Sequence, residues 1–369
     1  MKLKKYRPAT ELSLAVGLIS FFVANSPAQA VGVFSIKSRT TGLDKTNAAE
    51  LAVYDSFGTI ADALEATIND GILSETLRTG LTTHFAKAGA SPDSSLFVDR
   101  ASDFSVTSIT TGGQFNQSGT FNFSSSANAM PSAGAAGQGS VVIGIKANKL
   151  GIGSIGPIQG SRLSLYAHFF TFSQAISVVN LSMTNFGLDA QYAIVPGVGT
   201  SFLARWNGLH VASGFNYSSN TIALTSSLTQ SSTSGTETVA FDMNYTLSSK
   251  TSTFWVPVEI STSATLLSFM TFSTGFGADL NFGTSKLLGD STGTMTASTT
   301  ATGLSSANLF SGTPTLDFTS AGNSAGISVI APRLMIGGQF SLFALKFGGE
   351  YTYYTSGATG YAGWARIAI

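Results

Sequence analysis

From about residue 103 to the C-terminus, apolar and polar residues alternate one by one along the chain. The clearest segment runs from 239 to 247. Its apolar residues fall on one face (Val239, Phe241, Met243, Tyr245, Leu247) and its other residues on the opposite face (Ala240, Asp242, Asn244, Thr246). Successive side chains of a β-strand point to opposite faces, so this period of two predicts strands with one apolar and one polar face. Stretches rich in Gly, Ser, Thr and Asn separate the strands, as turns do.

The charged residues of these strands lie almost entirely in the polar phase. Those assigned to it are Lys146, Arg162, Asp189, Asp242, Glu259, Asp279, Asp317, Arg333, Lys346, Glu350 and Arg366. Arg205, which lies near a turn, is the one exception found. The alternation alone fits a soluble β-sandwich as well as a membrane barrel, since both have two-faced strands.

The low charge content separates these two folds. Only 10% of the 369 residues are charged, against about 25% in ordinary soluble domains. A face of Ser, Thr, Gly, Asn and Gln with one or two charges per strand is poor in charge for a water-facing surface but suits the lumen of a barrel. We therefore predict an all-β fold: a transmembrane, antiparallel, up-and-down β-barrel over residues 101–369, with the listed charged residues facing the lumen.

Residues 1–30 have the three parts of a secretory signal peptide. These are a basic start, an apolar run too short to span a bilayer, and a small-residue cleavage site (Lys2, Lys4, Lys5 and Arg7; Leu12 to Val23; Ala28-Gln29-Ala30). The chain has 19 basic and 19 acidic residues; the leader holds four and one of them, which leaves 15 and 18. A net charge of −3 gives no basic surface for nucleic acid.

With its leader, its alternating pattern and a strand that ends at the C-terminus, the chain resembles bacterial outer-membrane β-barrel proteins, porins among them. The resemblance concerns architecture only. It implies export in a Gram-negative cell, insertion by the barrel-assembly machinery and contact with outer-membrane lipid. Such barrels usually end on an aromatic residue, whereas this chain ends on Ile369.

Residues 31–100 differ from the barrel region. Apolar residues recur every third or fourth position from Ala48 to Asp70, which predicts a helix capped by Asp44 and ended by Gly71. A second short helix is predicted over Leu73 to Lys87. The sequence leaves open whether this short helical segment plugs the lumen, lies on the periplasmic side or covers one end of the barrel.

Counting alternating segments gives about 14–16 strands. Periplasmic turns of such barrels are short, which favours turns at Pro196 to Ser201 and at Ser341-Leu342. The stretches at 248–252, 284–292, 319–326 and 355–359 are then outward loops. Tyr192, Tyr217, Tyr351, Tyr353 and Tyr361 fall in the lipid-facing phase, where they form an interface girdle or serve as ordinary strand residues.

The sequence offers little chemistry for catalysis. His84, His168 and His210 accompany no nucleophile motif, so we interpret them as polar wall residues. The glycines of Gly151-Ile-Gly153-Ser-Ile-Gly156 match a dinucleotide fingerprint, but Pro157 and a strand follow where that motif needs a helix. With no cysteines, Cys-based sites are excluded. We predict no enzyme, no cofactor and no metal site.

A barrel of 14–16 strands has room for an aqueous lumen. The sequence therefore favours a porin-like passive channel for small solutes. Two other functions stay open: a transporter of hydrophobic compounds plugged by residues 44–88, and a surface adhesin or structural barrel acting through its Ser/Thr-rich loops. A homo-oligomer is also left open.

Overall fold

The computed structural model describes residues 34–41, 43, 45–70, 75–90, 99, 107–119, 133–176, 179–199, 202–234, 237–299, 310–316 and 324–369. The predicted signal peptide, the proposed cap Asp44 and the proposed lumen residue Asp317 lie outside these residues. Neither described helix combines the length and the apolar character needed to cross a membrane.

Within the described ranges, ten antiparallel strands form a closed ring. They are β2 (Thr107–Gly119), β3 (Ala133–Lys146), β6 (Leu163–Ile176), β7 (Val179–Val198), β8 (Ala204–Ser234), β9 (Glu237–Leu266), β10 (Met270–Thr299), β13 (Ile330–Leu342), β14 (Leu345–Tyr354) and β15 (Ala358–Ala368). Each strand pairs with the next, and β15 pairs with β2 from Ala358↔Ser118 to Ala368↔Ser108. Because the ring closes, no strand within it presents an unpaired edge to lipid.

The strands alternate between an apolar outside and a polar inside. On β13, Leu334 and Ile336 are 56% and 63% exposed, whereas Arg333 between strands β10 and β14 is fully buried. Exposed apolar side chains continue around the ring (Ile143, Phe169, Leu188, Phe215, Val258, Phe276, Phe347, Ile367). An apolar band of this extent faces lipid rather than water. The predicted transmembrane, up-and-down β-barrel is confirmed.

The predicted count of 14–16 strands was wrong, because several hairpins expected from the sequence are single long strands. Strands β8, β9 and β10 have 31, 30 and 30 residues. Residues 248–252 and 284–292, expected to be loops, lie inside β9 and β10 and pair in continuous register, for example Ser249↔Leu287. Ser and Thr suit the exposed face of a sheet as well as they suit loops, so composition alone misplaced the breaks.

The connections at the two ends of the ring differ. At the end that carries the C-terminus, called the lower end here, β13 and β14 are joined by two residues and β9 and β10 by three. The predicted turns at 196–201 and 341–342 fall at this end, where β7 continues to Val198, β8 begins at Ala204, and residues 343–344 join β13 to β14. At the upper end, residues 355–357 form the expected turn between β14 and β15, and Ser324–Gly326 form the short strand β12 rather than a loop. A two-stranded hairpin, β4 (Ser154–Ile155) and β5 (Ile158–Gln159), lies between β3 and β6 at the lower end.

Above the ring, the long strands continue as a separate sheet, which we call the extension. It comprises the upper parts of β8 to β10 (225–234, 237–252 and 284–299), β11 (Phe310–Leu316) and β1 (Phe34–Thr40). Helix α1 (Ala48–Asp70) packs on one face of this sheet, and its apolar residues Phe57, Ile60 and Leu64 meet Met243 and Met295. The first helix is therefore confirmed, and it lies outside the ring.

The edge strand β1 is tied to α1 by polar contacts. Asn69 both accepts from the backbone N–H of Phe34 (2.9 Å) and donates to its carbonyl (2.8 Å). Arg39 pairs with Asp62 and Glu65, each at 2.6 Å. The helix thus satisfies backbone groups that the edge of a sheet otherwise leaves open.

The polarity of the strands inverts where the ring gives way to the extension. On β9, Glu259 and Thr253 face inward in the ring, and Leu247, Met243 and Val239 are the buried residues of the same phase above it. The outward phase changes from Val258 and Phe254 to Thr246 and Asp242. The extension therefore follows the rule of a water-soluble sheet, with apolar residues inside and polar residues outside.

This inversion corrects the prediction for Asp242. Its side chain is exposed on the outer face of the extension, where it accepts a hydrogen bond from Thr229 at 3.2 Å. The assignment to the lumen assumed that the apolar face of segment 239–247 meets lipid. That face instead meets α1, so Asp242 points to solvent.

Candidate functional site

Helix α2 (Glu75–Gly89) lies across the bore of the ring. Its middle packs on β2 and β3, and its C-terminal end on β9 and β10, which are on the opposite side of the ring. From Arg78 to Ala90 only Thr79 is exposed. The second helix was predicted over 73–87, and the structure places it inside the barrel.

Specific contacts hold α2 to both walls. Thr253 donates to the carbonyl of Gly89 (3.2 Å), and Asn281 donates to the carbonyl of Ala90 (3.0 Å). On the opposite side, His84 Nδ1 lies 2.9 Å from Ser118 Oγ. A Cβ on Gly134 would overlap the backbone of His84 and Phe85, so glycine at this position of β3 lets the helix lie directly on the strand.

Burial lowers the pKa of His84, and the nearby Lys87 lowers it further. The imidazole of His84 is therefore neutral at pH 7. A neutral imidazole matches the polar, largely uncharged lining that surrounds it.

A buried charge cluster lies on the wall below α2. Arg333 of β13 places Nη2 at 3.1 Å from Glu259 Oε2 and at 3.3 Å from Asp279 Oδ1. All three side chains are fully enclosed. The guanidinium bridges carboxylates from two neighbouring strands, which fixes β9, β10 and β13 relative to one another.

A second cluster lies on the β6–β8 side. His168 Nε2 is 2.7 Å from Asn216 Oδ1, and Asn216 Nδ2 donates to Asp189 at 2.9 Å. A Cβ at Gly187 would overlap both Asn216 and His168, so the glycine makes room for this cluster. His168 and Asp189 are thus part of a buried hydrogen-bonded network on the wall.

Asp99 of the N-terminal segment is buried at the lower end of the bore. Its carboxylate pairs with Arg366 of β15 at 2.6 Å and lies 4.0 Å from Lys346 of β14. Arg366 also donates to Thr110 of β2 at 2.6 Å. Ala90 and Asp99 therefore contact the inner wall at different heights, Ala90 in the upper part of the bore and Asp99 at its lower end.

Large side chains fill the bore between these levels. Trp255 is fully buried and packs with Tyr166, Val142 and Ala362, and Trp364 lies against them. Tyr166 donates to Gln191 at 3.0 Å. Together with α2, this layer leaves the described bore occupied by protein.

The structure places most of the predicted lumen residues on the ring strands, and several of them are buried. Asp189, Glu259, Asp279, Arg333, Glu350 and Arg366 are buried there, and Lys346 is mostly enclosed beside Asp99. Lys146 lies half-buried at the lower end of β3, and Arg162 lies half-buried in the connection before β6 rather than on a strand. Arg333 brings Glu259 and Asp279 together, and Asp99 joins Lys346 and Arg366. His210, like His168, is buried on the inner face.

A β-bulge explains why Arg205 seemed to be out of phase. On β8 the register with β9 steps from Trp206↔Ala264 to Leu209↔Thr262, so one extra residue is inserted. An extra residue reverses the alternation of the strand. Arg205 therefore shares the inward phase: Trp206 is exposed, Asn207 is buried, and Arg205 Nε donates to Asn207 at 2.9 Å.

Sequence reasoning missed Asp99, Trp255 and the contacts of α2. Asp99 is a lone acid in a segment without a clear period, and Trp255 is an aromatic residue in the otherwise polar phase of its strand. The described residues contain no cluster of His, Asp and Glu that could hold a metal ion. The absence of catalysis stays a prediction.

Residues 45–364 match the sequence profile of a protein family described as Lsa36-like. The chain belongs to this family. None of the curated proteins matches the sequence.

Comparison with solved structures gives matches of low similarity. The outer membrane protein Omp33 of Acinetobacter baumannii is 10% identical over 72% of this chain and 98% of its own, with a TM-score of 0.25. The translocator domain of the autotransporter NalP from Neisseria meningitidis is 10% identical over 87% and 99%, with a TM-score of 0.26. A Pseudomonas aeruginosa FadL homologue is 8% identical over 78% and 98%, also at 0.26.

Proposed function

We propose that the protein is a closed outer-membrane barrel that anchors the extension at the cell surface, where the extension acts as a binding module. The observation that carries the proposal is the inversion of polarity on β8 to β10. The strands have a lipid-facing apolar band in the ring and a water-facing polar surface above it. Surface binding through Ser/Thr-rich segments was one of the functions left open by the sequence.

The occupied bore supports the closed state. A barrel of about eight strands is just filled by its own side chains, whereas porins with an aqueous channel have 16–18. This ring has ten strands, a Trp255 layer across its middle and α2 across its upper part. The expectation of a passive channel rested on a wider ring.

A gated channel for small polar solutes is the second candidate. It is favoured by the polar inner wall, since displacement of α2 would widen a bore lined with polar groups. A transporter of hydrophobic compounds fits less well, because the inner wall offers Ser, Thr, Asn and charged groups rather than an apolar path.

Conductance in planar bilayers separates the two candidates. We expect the purified wild-type protein to show no stable conductance steps, because the bore is occupied. The chain has no cysteines, so the double variant G89C/T251C can lock α2 to the wall; a Cβ on Gly89 would lie 3.2 Å from Thr251 Cβ, close to the spacing of a disulfide.

The locked variant distinguishes gating from closure. Brief openings in the wild type that vanish in oxidised G89C/T251C and return with a reductant would favour the gated channel, with T251C alone as the control, because a Cβ on Gly89 would overlap the Thr251 methyl group in the single variant G89C. Steady, large steps in the wild type would overturn the closed barrel.

The proposal also includes export by a cleaved signal peptide into a Gram-negative envelope, insertion by the barrel-assembly machinery and contact with outer-membrane lipid. The short lower connections are assigned to the periplasm, because periplasmic turns are the short ones in such barrels.

A further inference from the structure

Lys250 and Lys286 are directly opposed on the outer face of β9 and β10. The register pairs Lys286 with Lys250, and both side chains are exposed. Side chains opposed in this way have Cβ atoms about 4.5–5.5 Å apart, and like charges at that spacing are destabilising. An anion bound between the two ammonium groups would offset this repulsion.

The acidic side chains on the same face of β9 and β10 are too distant to pair with Lys250 and Lys286. The nearest on β10 is Asp290, four residues above Lys286, and on β9 it is Asp242, eight residues from Lys250. Four residues of strand correspond to about 13 Å. The neighbours of the lysine pair carry hydroxyl groups instead: Thr221 is opposite Lys250, and Ser219 lies 3.3 Å from Ser252 one row below.

The lysine pair lies just above the lipid-facing band. Four residues below it, an aromatic row crosses four strands: Phe282, Phe254, Tyr217 and Phe186, with ring centroids 4.6 Å apart for Tyr217–Phe254 and 5.1 Å apart for Phe186–Tyr217. Aromatic rows of this kind mark the membrane interface of a barrel. Because strands in barrels tilt by about 35–45°, the lysines stand at the height of lipid headgroups, within the reach of a long side chain.

From this placement, we propose that Lys250 and Lys286 bind a phosphate group of an outer-leaflet lipid. The two ammonium groups neutralise the phosphate, the hydroxyl groups of Thr221, Ser252 and Thr284 offer donors beside it, and the aromatic row contacts the acyl chains below. The site rests on the assignment of the upper end to the outer leaflet. It needs no movement of the barrel.

The test uses the full-length protein in a zwitterionic detergent and, as the probe, lipid A that carries phosphate groups. We expect native mass spectrometry to show retained lipid A on the wild type and about tenfold less on K250Q/K286Q. K149Q is the matched control, because Lys149 is exposed at the opposite end of the barrel; it should retain lipid A like the wild type. Dephosphorylated lipid A should bind equally weakly to all three.

Thermal unfolding provides a second readout, because the unfolding temperature of K250Q/K286Q should differ from that of the wild type in opposite directions without and with lipid A. Without lipid A, K250Q/K286Q should unfold at the same temperature as the wild type or higher, because the repulsion is gone. With lipid A, it should unfold at a lower temperature.

Equal retention by wild type and K250Q/K286Q would overturn the site, and competition by inorganic phosphate as strong as by lipid A would overturn the lipid as its ligand. Loss of binding in K149Q as well would show nonspecific charge attraction and would equally contradict the proposal. If lipid A binds as expected but the extension is found on the periplasmic side in cells, the placement of the upper end is contradicted and the closed barrel is unaffected.

Discussion

Replacing Arg333 with methionine should lower the free energy of unfolding by about 3–5 kcal/mol, because breaking a buried ion pair leaves an uncompensated charge. The guanidinium lies between Glu259 (3.1 Å) and Asp279 (3.3 Å), and the substitution would leave the two carboxylates facing each other in an enclosed site. Unfolding in urea, followed by the shift in gel mobility between folded and unfolded barrel, measures the effect.

Two further variants make this experiment specific. R333M/E259Q/D279N removes both carboxylates together with the arginine and should recover most of the lost stability. R162M removes an arginine that is only half-buried in a turn and should change stability by less than about 1 kcal/mol. If R333M were as stable as R162M, the cluster would contribute nothing to the wall.

Replacing Phe57 with alanine should release α1 from the extension while the ring stays folded. Phe57 is fully buried in the cluster formed by α1, β1 and the upper parts of β9 and β10, and loss of a buried phenylalanine costs about 3–5 kcal/mol. Hydrogen exchange should become at least about 100-fold faster in α1 and β1, since local opening follows local stability.

The amides of β13 to β15 should be unaffected by this change, because the packing around Phe57 does not reach them. L51A is the matched control: Leu51 lies on the same helix and is 38% exposed, so exchange in α1 should change little. If F57A and L51A behaved alike, or if F57A unfolded the ring, the extension would not be a module with its own core.

The residue pattern predicted the elements whose apolar face meets the same kind of surroundings along its whole length. The ring strands were predicted because lipid outside and polar groups inside keep one phase, and α1 was predicted from Ala48 to Asp70 because its apolar residues recur at helical spacing. Asp189, Glu259, Asp279, Arg333, Glu350 and Arg366 lie in the polar phase of these strands and are buried in the structure.

The failures occurred where the rule changes along a strand. The long strands leave lipid and enter water, so the face that is apolar in segment 239–247 is the inner one, and Asp242 was assigned to the wrong side. The bulge at Trp206 to Leu209 shifts the phase, and although Gly208 within it has a φ of +106° and glycine often marks a bulge, the alternation of apolar and polar residues does not record the shift. Asp99 and α2 lie in the bore through contacts with residues distant in sequence, which no local pattern encodes.

Three single cysteines test whether the extension stands at the cell surface above a lipid-embedded ring. Thr294 is exposed on the extension, Phe276 is 58% exposed in the apolar band, and Lys149 is exposed at the lower end. With a membrane-impermeant maleimide, we expect T294C to be labelled on intact cells, K149C only after the outer membrane is permeabilised, and F276C in neither case. Labelling of K149C but not of T294C on intact cells, or labelling of all three, would contradict the account.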